Sequence, residues 1–132
     1  MGSRKKLRAD KLKEERKAIS FAKLKNCPTS PRKMRLIADN IRGLDVFKAM
    51  AILDNSSQVA ARNMSKLLRS AMANWEAKNE GRRPEESSLF VKEVSVDSAR
   101  MLKRIQPAPQ GRAHRIRKRS NHVTIIIDSA SK

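Results

Sequence analysis

Residues 89–128 read LFVKEVSVDSARMLKRIQPAPQGRAHRIRKRSNHVTIIID. Both ends of this stretch are strand-like. Over Leu89 to Asp97, Phe90, Val94 and Val96 share one parity, and Glu93, Ser95 and Asp97 share the other. That alternation is the mark of a half-buried strand. Residues His122 to Asp128 carry the run Val123, Thr124, Ile125, Ile126 and Ile127, rich in β-branched side chains. Between the two lie residues 98–121, with eight Lys/Arg and no Asp or Glu. Pro107, Ala108, Pro109, Gln110 and Gly111 sit midway, where Pro and Gly favour a turn. Two strands with a central turn predict one long β-hairpin. Its arms, each about ten residues beyond the sheet, should project ~30 Å at ~3.3 Å per residue. Met101, Leu102, Ile105, Ala113 and Ile116 are scattered and give the arms no apolar face. Such a ribbon is marginal in water by itself and needs something around it. A disordered basic loop is the alternative for the isolated chain.

Charge points to a polyanion as that surrounding, with nucleic acid the abundant candidate and an anionic membrane surface the lesser one. The 132 residues carry a net charge of +18, and the excess is segregated. Residues 1–35 hold 13 Lys/Arg against 3 Asp/Glu, residues 36–97 hold nine of each, and residues 98–132 hold nine against one. A neutral body is flanked by two cationic limbs. A compact protein so charged repels itself when free. A phosphate lattice removes the penalty, because each cation that meets a phosphate releases counterions. Arg suits this use, since its planar fork takes phosphate oxygens in pairs and stacks on bases.

The first half of the chain reads mainly as helix. Residues 3–17 are helix formers with few apolar positions, so they should be disordered or helical only against a partner. Ile19 to Lys25 alternates weakly and predicts a short strand. Asn26 to Ser30 is a turn. Ser30 and Pro31 open a first helix, with Ser30 as its cap and Pro31 at its first position. Met34, Ile37, Ala38 and Ile41 form its apolar stripe, and Gly43 ends it. Asp45 caps a second helix with Val46, Ala49, Met50 and Leu53 inward. Asn55, Ser56 and Ser57 break the pattern and cap a third helix, whose inward positions are Ala60, Met64, Leu67, Leu68, Ala71 and Trp75. Arg62, Lys66 and Arg69 form a basic stripe on another face of it, readable equally as a solvated face or an RNA contact. Lys78 to Ser88, with Gly81 and Pro84, is a polar loop.

Catalysis finds no support in these residues. His114 and His122, the only histidines, lie among cations, and with Cys27 they make no zinc spacing. No Gly-rich phosphate loop occurs among four glycines. Asp97 and Asp128 could approach across paired strands, but nothing marks them as more than strand-end residues. No enzyme, metal or cofactor is therefore expected. A single cysteine excludes an internal disulfide and fits a reducing, cytosolic setting. No apolar run nears the ~20 residues that span a bilayer.

Several ordered motifs resemble one family. Ser30-Pro31-Arg32-Lys33-Met34-Arg35-Leu36-Ile37-Ala38-Asp39-Asn40-Ile41-Arg42-Gly43 looks like the first helix of family number twenty-two of the large-subunit ribosomal proteins, bacterial type. Lys103 to Pro107, Gly111 to Ile116 and Lys118 to Thr124 resemble its hairpin and return strand, and Ser70 to Asn74 fits its third helix. The resemblance covers roughly residues 19–128. It implies a body on the outer surface of the large subunit, beside the mouth of the peptide exit tunnel. It also implies a hairpin that runs inward through ribosomal RNA, supports RNA folding and assembly, and helps line the tunnel. Leu102, Lys103, Arg104, Ile105, Gln106, Pro107, Ala108, Pro109 and Gln110 would then lie nearest the nascent peptide. The first 17 residues look like an extension of the family pattern, the loop from Asn79 to Ser87 looks expanded, and Ala108-Pro109-Gln110 is less basic than the usual tip.

The expected fold is α+β. Three helices pack on a small three-stranded antiparallel sheet, with a long protruding β-hairpin (98–121) and a basic N-terminal extension (1–18) on a single domain (19–132). The expected partners are large-subunit ribosomal RNA, neighbouring ribosomal proteins and the nascent peptide. The RNA contacts expected are Arg32, Lys33, Arg35, Arg42, Arg62, Lys66, Arg69, Arg100, Lys103, Arg104, Arg112, His114, Arg115, Arg117, Lys118 and Arg119. The competing class is a DNA-binding basic regulatory protein, which would group base-reading side chains on one helix. Limited proteolysis of the free chain should cut first within residues 1–18 and 99–119; first cuts within 58–75 would contradict this organisation.

Overall fold

The computed structural model describes residues 3–79 and 82–129. Met1 and Gly2 of the extension, Glu80 and Gly81 of the loop, and residues 130–132 lie outside them. The elements run α1 (Ser3–Ala18), β1 (Ser20–Cys27), α2 (Pro31–Ile41), α3 (Val46–Asn55), α4 (Val59–Lys78), β2 (Leu89–Ser98), β3 (Leu102–Pro107), β4 (Ala113–Lys118) and β5 (Asn121–Ser129). The α+β class is as expected, but the helices described are four and the strands form two sheets.

The extra helix is α1, and none of its residues is buried. It therefore forms without a packing face. Its Leu, Ala, Arg, Lys and Glu residues are strong helix formers, and Lys13 lies 3.7 Å from Asp10 one turn earlier. Of the two expected forms, disorder or a helix held against a partner, the helix is the one seen, and this propensity favours it.

β1, β5 and β2 form a three-stranded antiparallel sheet with β5 in the centre. The last strand thus enters between the first two and is paired along both edges. Val123, Ile125 and Ile127 turn one way and are buried, while His122, Thr124, Ile126 and Asp128 are only partly covered. On that inner side the stripes of α2, α3 and α4 close the core. Met34, Ile41, Leu53, Met64 and Leu68 are almost wholly buried, as are Leu89, Val91 and Ile125.

Several local expectations are corrected. β2 does not keep one parity, because its register against β5 shifts between Val91 and Glu93. Leu89 and Val91 face inward before the bulge, Val94 and Val96 after it, and Phe90 is only partly buried. One extra residue swaps the faces of everything beyond it. Ser30 precedes α2 but its side chain makes no capping bond; its carbonyl accepts from Met34 N–H at 3.1 Å. The residue before α4 is Gln58, again without a side-chain cap, not Asn55 to Ser57. Asp45 does cap α3, accepting from Phe47 N–H at 2.9 Å. Asp97 pairs with His122 and Asp128 with Phe90, so the two aspartates sit at opposite ends of the sheet.

The hairpin is also not one unbroken ladder. β2 and β5 pair as far as Ser98 and Asn121, and β3 and β4 resume at Leu102 and Lys118. Residues 99–101 on one arm face only 119–120 on the other, so pairing must slip. A single bond from Ala99 N–H to Ser120 O, 2.9 Å, bridges the gap. Beyond it, six paired residues per arm reach ~20 Å. Gln110 (φ 62°) and Gly111 (φ 69°) turn the tip in the left-handed region. At the root, Asn121 is fully buried and its Nδ2 donates to Thr29 O at 2.7 Å and Thr29 Oγ1 at 2.8 Å. That pins the turn after β1 to the point where the hairpin departs.

Leu68→Ala, at a fully buried position, should lower unfolding free energy by about 2–5 kcal/mol in denaturant titration. Leu36→Ala, at a position 60% exposed, should stay within about 0.5 kcal/mol of the parent.

Candidate nucleic-acid interface

The ribbon of β3 and β4 is the most distinctive surface. All twelve of its paired residues are exposed. Pairing in register gives it two faces. One carries Leu102 beside Lys118, Arg104 beside Ile116, and Gln106 beside His114. The other carries Lys103 beside Arg117, Ile105 beside Arg115, and Pro107 beside Ala113. Cations therefore occupy both faces, and Lys103 directly opposes Arg117. Like charges opposite one another destabilise a strand pair. No carboxylate lies on the ribbon to offset them. Ile105 is 73% exposed in the middle of three of these cations. A ribbon that is cationic above and below suits enclosure by phosphates on two sides.

Arg100 and Arg119 flank the break at the root and Arg112 precedes β4; all three are exposed. Arg104 Nη1 donates to Lys103 O at 2.9 Å. His114 is exposed on the ribbon. His122 instead belongs to the sheet, where its Nδ1 accepts from Asn26 N–H at 3.0 Å. Among the described residues no group of His, Cys, Asp and Glu could hold a metal ion, and no helix is long and apolar enough to cross a membrane.

The cations of α2 divide into two sets. Arg32 and Lys33 stand exposed in its first turn. Arg35 on the helix and Arg42 just past its C-terminal end both reach the outer edge of β2. Arg35 donates from Nε (3.3 Å) and Nη2 (3.1 Å) to Val96 O. Arg42 donates from Nη2 to Val94 O at 3.1 Å and from Nη1 to Asp39 at 2.8 Å. Gly43 N–H donates to Val91 O and Val91 N–H to Leu44 O, at 2.9 and 2.8 Å. The open edge of β2 is thus covered by α2 and the segment after it, which blocks edge-to-edge pairing. Each guanidinium keeps further N–H groups for other acceptors.

On α4, Arg62 and Lys66 are exposed. Arg69 is committed in part to Asp54, at 3.1 Å, which also accepts from Ser65 Oγ at 2.7 Å. The sequence reading leaves out Lys23 and Lys25, both exposed on edge strand β1. Their alternation with Ala22 and Leu24 was the signal available. Cys27 is buried as a free thiol, with Asn63 Nδ2 donating to its Sγ at 3.3 Å.

Comparison with known proteins gives a consistent result. The family described as Ribosomal protein L22p/L17e matches residues 22–128. The large ribosomal subunit protein uL22 of Christiangramia forsetii is 61% identical over 127 residues, covering 96% of this chain and 94% of the relative. That of Flavobacterium johnsoniae is 62% identical over 127 residues, with 96% and 93% covered. That of Parabacteroides distasonis is 58% identical over 132 residues, with 100% and 96% covered.

The two kinds of arginine should separate experimentally. Arg35→Gln should cost the free protein about 1 kcal/mol in chemical denaturation, through loss of the bonds to Val96 O. Arg115→Ser should leave that stability unchanged and weaken RNA binding instead, read by filter retention of large-subunit RNA. Equal behaviour of the two variants in both assays would contradict the division.

Proposed function

The chain belongs to the ribosomal protein L22p/L17e family, and from that premise we propose how its limbs serve the large ribosomal subunit. It is a structural, non-enzymatic constituent of that subunit, bound to ribosomal RNA, with ribosomal proteins as neighbours and the bacterial cytoplasm as its setting. We infer that residues 19–132 act as one ribosomal domain, with the hairpin 98–121 threaded into RNA and residues 1–18 as a separate extension.

The two-faced cationic ribbon carries this reading. Lys103, Arg104, Arg115, Arg117 and Lys118 present charge above and below a strand pair that has no apolar cover. Arg100, Arg112, Arg119 and His114 extend the same surface, and Arg32, Lys33, Arg62 and Lys66 add contacts on the body. Arg35, Arg42 and Arg69 use their spare donors on phosphate while anchoring the fold. A DNA regulator fits less well, because it reads bases from one helix, whereas here the charge lies on a ribbon.

The tip differs from the arms. Gln106 to Gln110 contains no charged residue, so it has nothing to gain from phosphate. A neutral, polar turn at the end of a cationic stalk suits an aqueous passage beyond the RNA. This supports Gln106 to Gln110, the outer part of the expected segment Leu102 to Gln110, as what lines the exit tunnel and faces the nascent peptide.

In a sucrose gradient of cell lysate the chain should sediment with large subunits and resist a moderate salt wash. Replacing Arg112, Arg115, Arg117 and Arg119 together with Ser should reduce incorporation severalfold while helical circular dichroism persists. Sedimentation with chromatin or membranes, or full incorporation of the variant, would go against the proposal.

A further inference from the structure

We propose that α1 is a second RNA grip, independent of the hairpin, which lodges between two phosphate backbones of a different segment of ribosomal RNA. The proposal rests on the RNA-embedded reading above and extends it to an element outside the matched residues 22–128.

α1 carries eight Lys/Arg against three Asp/Glu along a 16-residue helix, ~24 Å long at 1.5 Å per residue. Its charge is not one-sided. At ~100° per residue, Arg4, Arg8 and Lys11 fall on one side, and Lys6, Lys13 and Lys17 fall on nearly the opposite side. Asp10 and Glu14 lie on one flank between them, and Glu15 falls among Arg4, Arg8 and Lys11, so each of the two sides keeps a net positive charge. Leu7 and Leu12 are 66% and 47% exposed and point in different directions, so no apolar stripe forms. A membrane surface needs such a stripe, and so does docking in a protein groove. A rod that is cationic on two opposed sides instead matches a cleft walled by phosphates on both sides, a geometry that folded RNA supplies. Recognition there is by backbone charge, with no demand for a base sequence.

Topology separates this grip from the other. A single residue, Ile19, joins α1 to β1, and Ser20 pairs with Ile127. The hairpin departs from Ser98 and Asn121, at the other end of the same strand β5. Six residue steps along β5 separate the two roots by ~20 Å. Lys78 Nζ donates to Ile19 O, and its ammonium also lies 5.9 Å from the Phe21 ring centroid, so the exit point of α1 is tied to α4. The body thus becomes a spacer that holds two RNA-seeking limbs apart.

The test uses the full chain in reconstituted large subunits. A photo-activatable residue replaces Leu7 in one preparation and Ile105 in another. Cross-links from position 7 should fall on ribosomal RNA, in a segment distinct from those at position 105. Cross-links from position 7 only to protein, none at all, or the same segment as position 105 would overturn the second grip. Absence of RNA cross-links from position 105 as well would overturn the underlying reading too. In parallel, Arg4, Lys6, Arg8, Lys11, Lys13 and Lys17 are replaced by Gln, which keeps helix propensity. The slope of log affinity for large-subunit RNA against log salt should fall by about 4; an unchanged slope would refute the proposal.

Discussion

The ladder between β2 and β5 is the constraint on which the other features depend. It runs from Leu89 opposite Ser129 to Ser98 opposite Asn121. Because β5 is central, this ladder is held from the far side by β1 and from the inner face by the helical core. Strand pairing with one buried face resists slippage, since a one-residue shift would expose Val123, Ile125 and Ile127. Whatever continues from the open end of this ladder inherits its direction. The continuation is a ribbon with no core of its own, so the pairing of two buried strands aims a surface that could not aim itself.

The free edge of β2 is where the body supports that aim. Arg42 and Arg35 hold the carbonyls of Val94 and Val96, close to the point where the hairpin leaves. Asn121 holds the turn after β1 against the same point. Polar groups at the root therefore do structural work, while those farther out are left exposed. The division follows from reach. Arg35 and Arg42 stand beside carbonyls of β2 and bond to them, whereas a cation without such a partner is available to any anion that approaches.

Much of this was legible along the chain. Helical stripes such as Met34, Ile37, Ala38 and Ile41 name the core because 3.6-residue spacing leaves few alternatives. The acid-free run 98–121 marks a cationic limb because charge is additive and needs no geometry to be counted. The bulge at Val91 to Glu93 left no such trace. An extra residue in a strand looks like any other residue until its partner strand is in place, so Phe90 was assigned to the wrong face. The slip at residues 99–101 against 119–120 escaped for the same reason. Arg35 and Arg42 read as RNA contacts because their type is all the sequence displays; their bonds to β2 join residues more than fifty positions apart.

The sequence alone determined the α+β class, the inward residues of three helices, the tip at Pro107 to Gly111 and the placement of charge on two limbs. These follow from local periodicity, turn chemistry and counting. Tertiary structure alone decided the central place of β5, the two faces of the ribbon, the covered edge of β2 and the attachment of α1 at the end of the sheet remote from the hairpin. Each of these depends on which distant residues stand opposite one another, and register is a property of two strands together, settled only when both share a core.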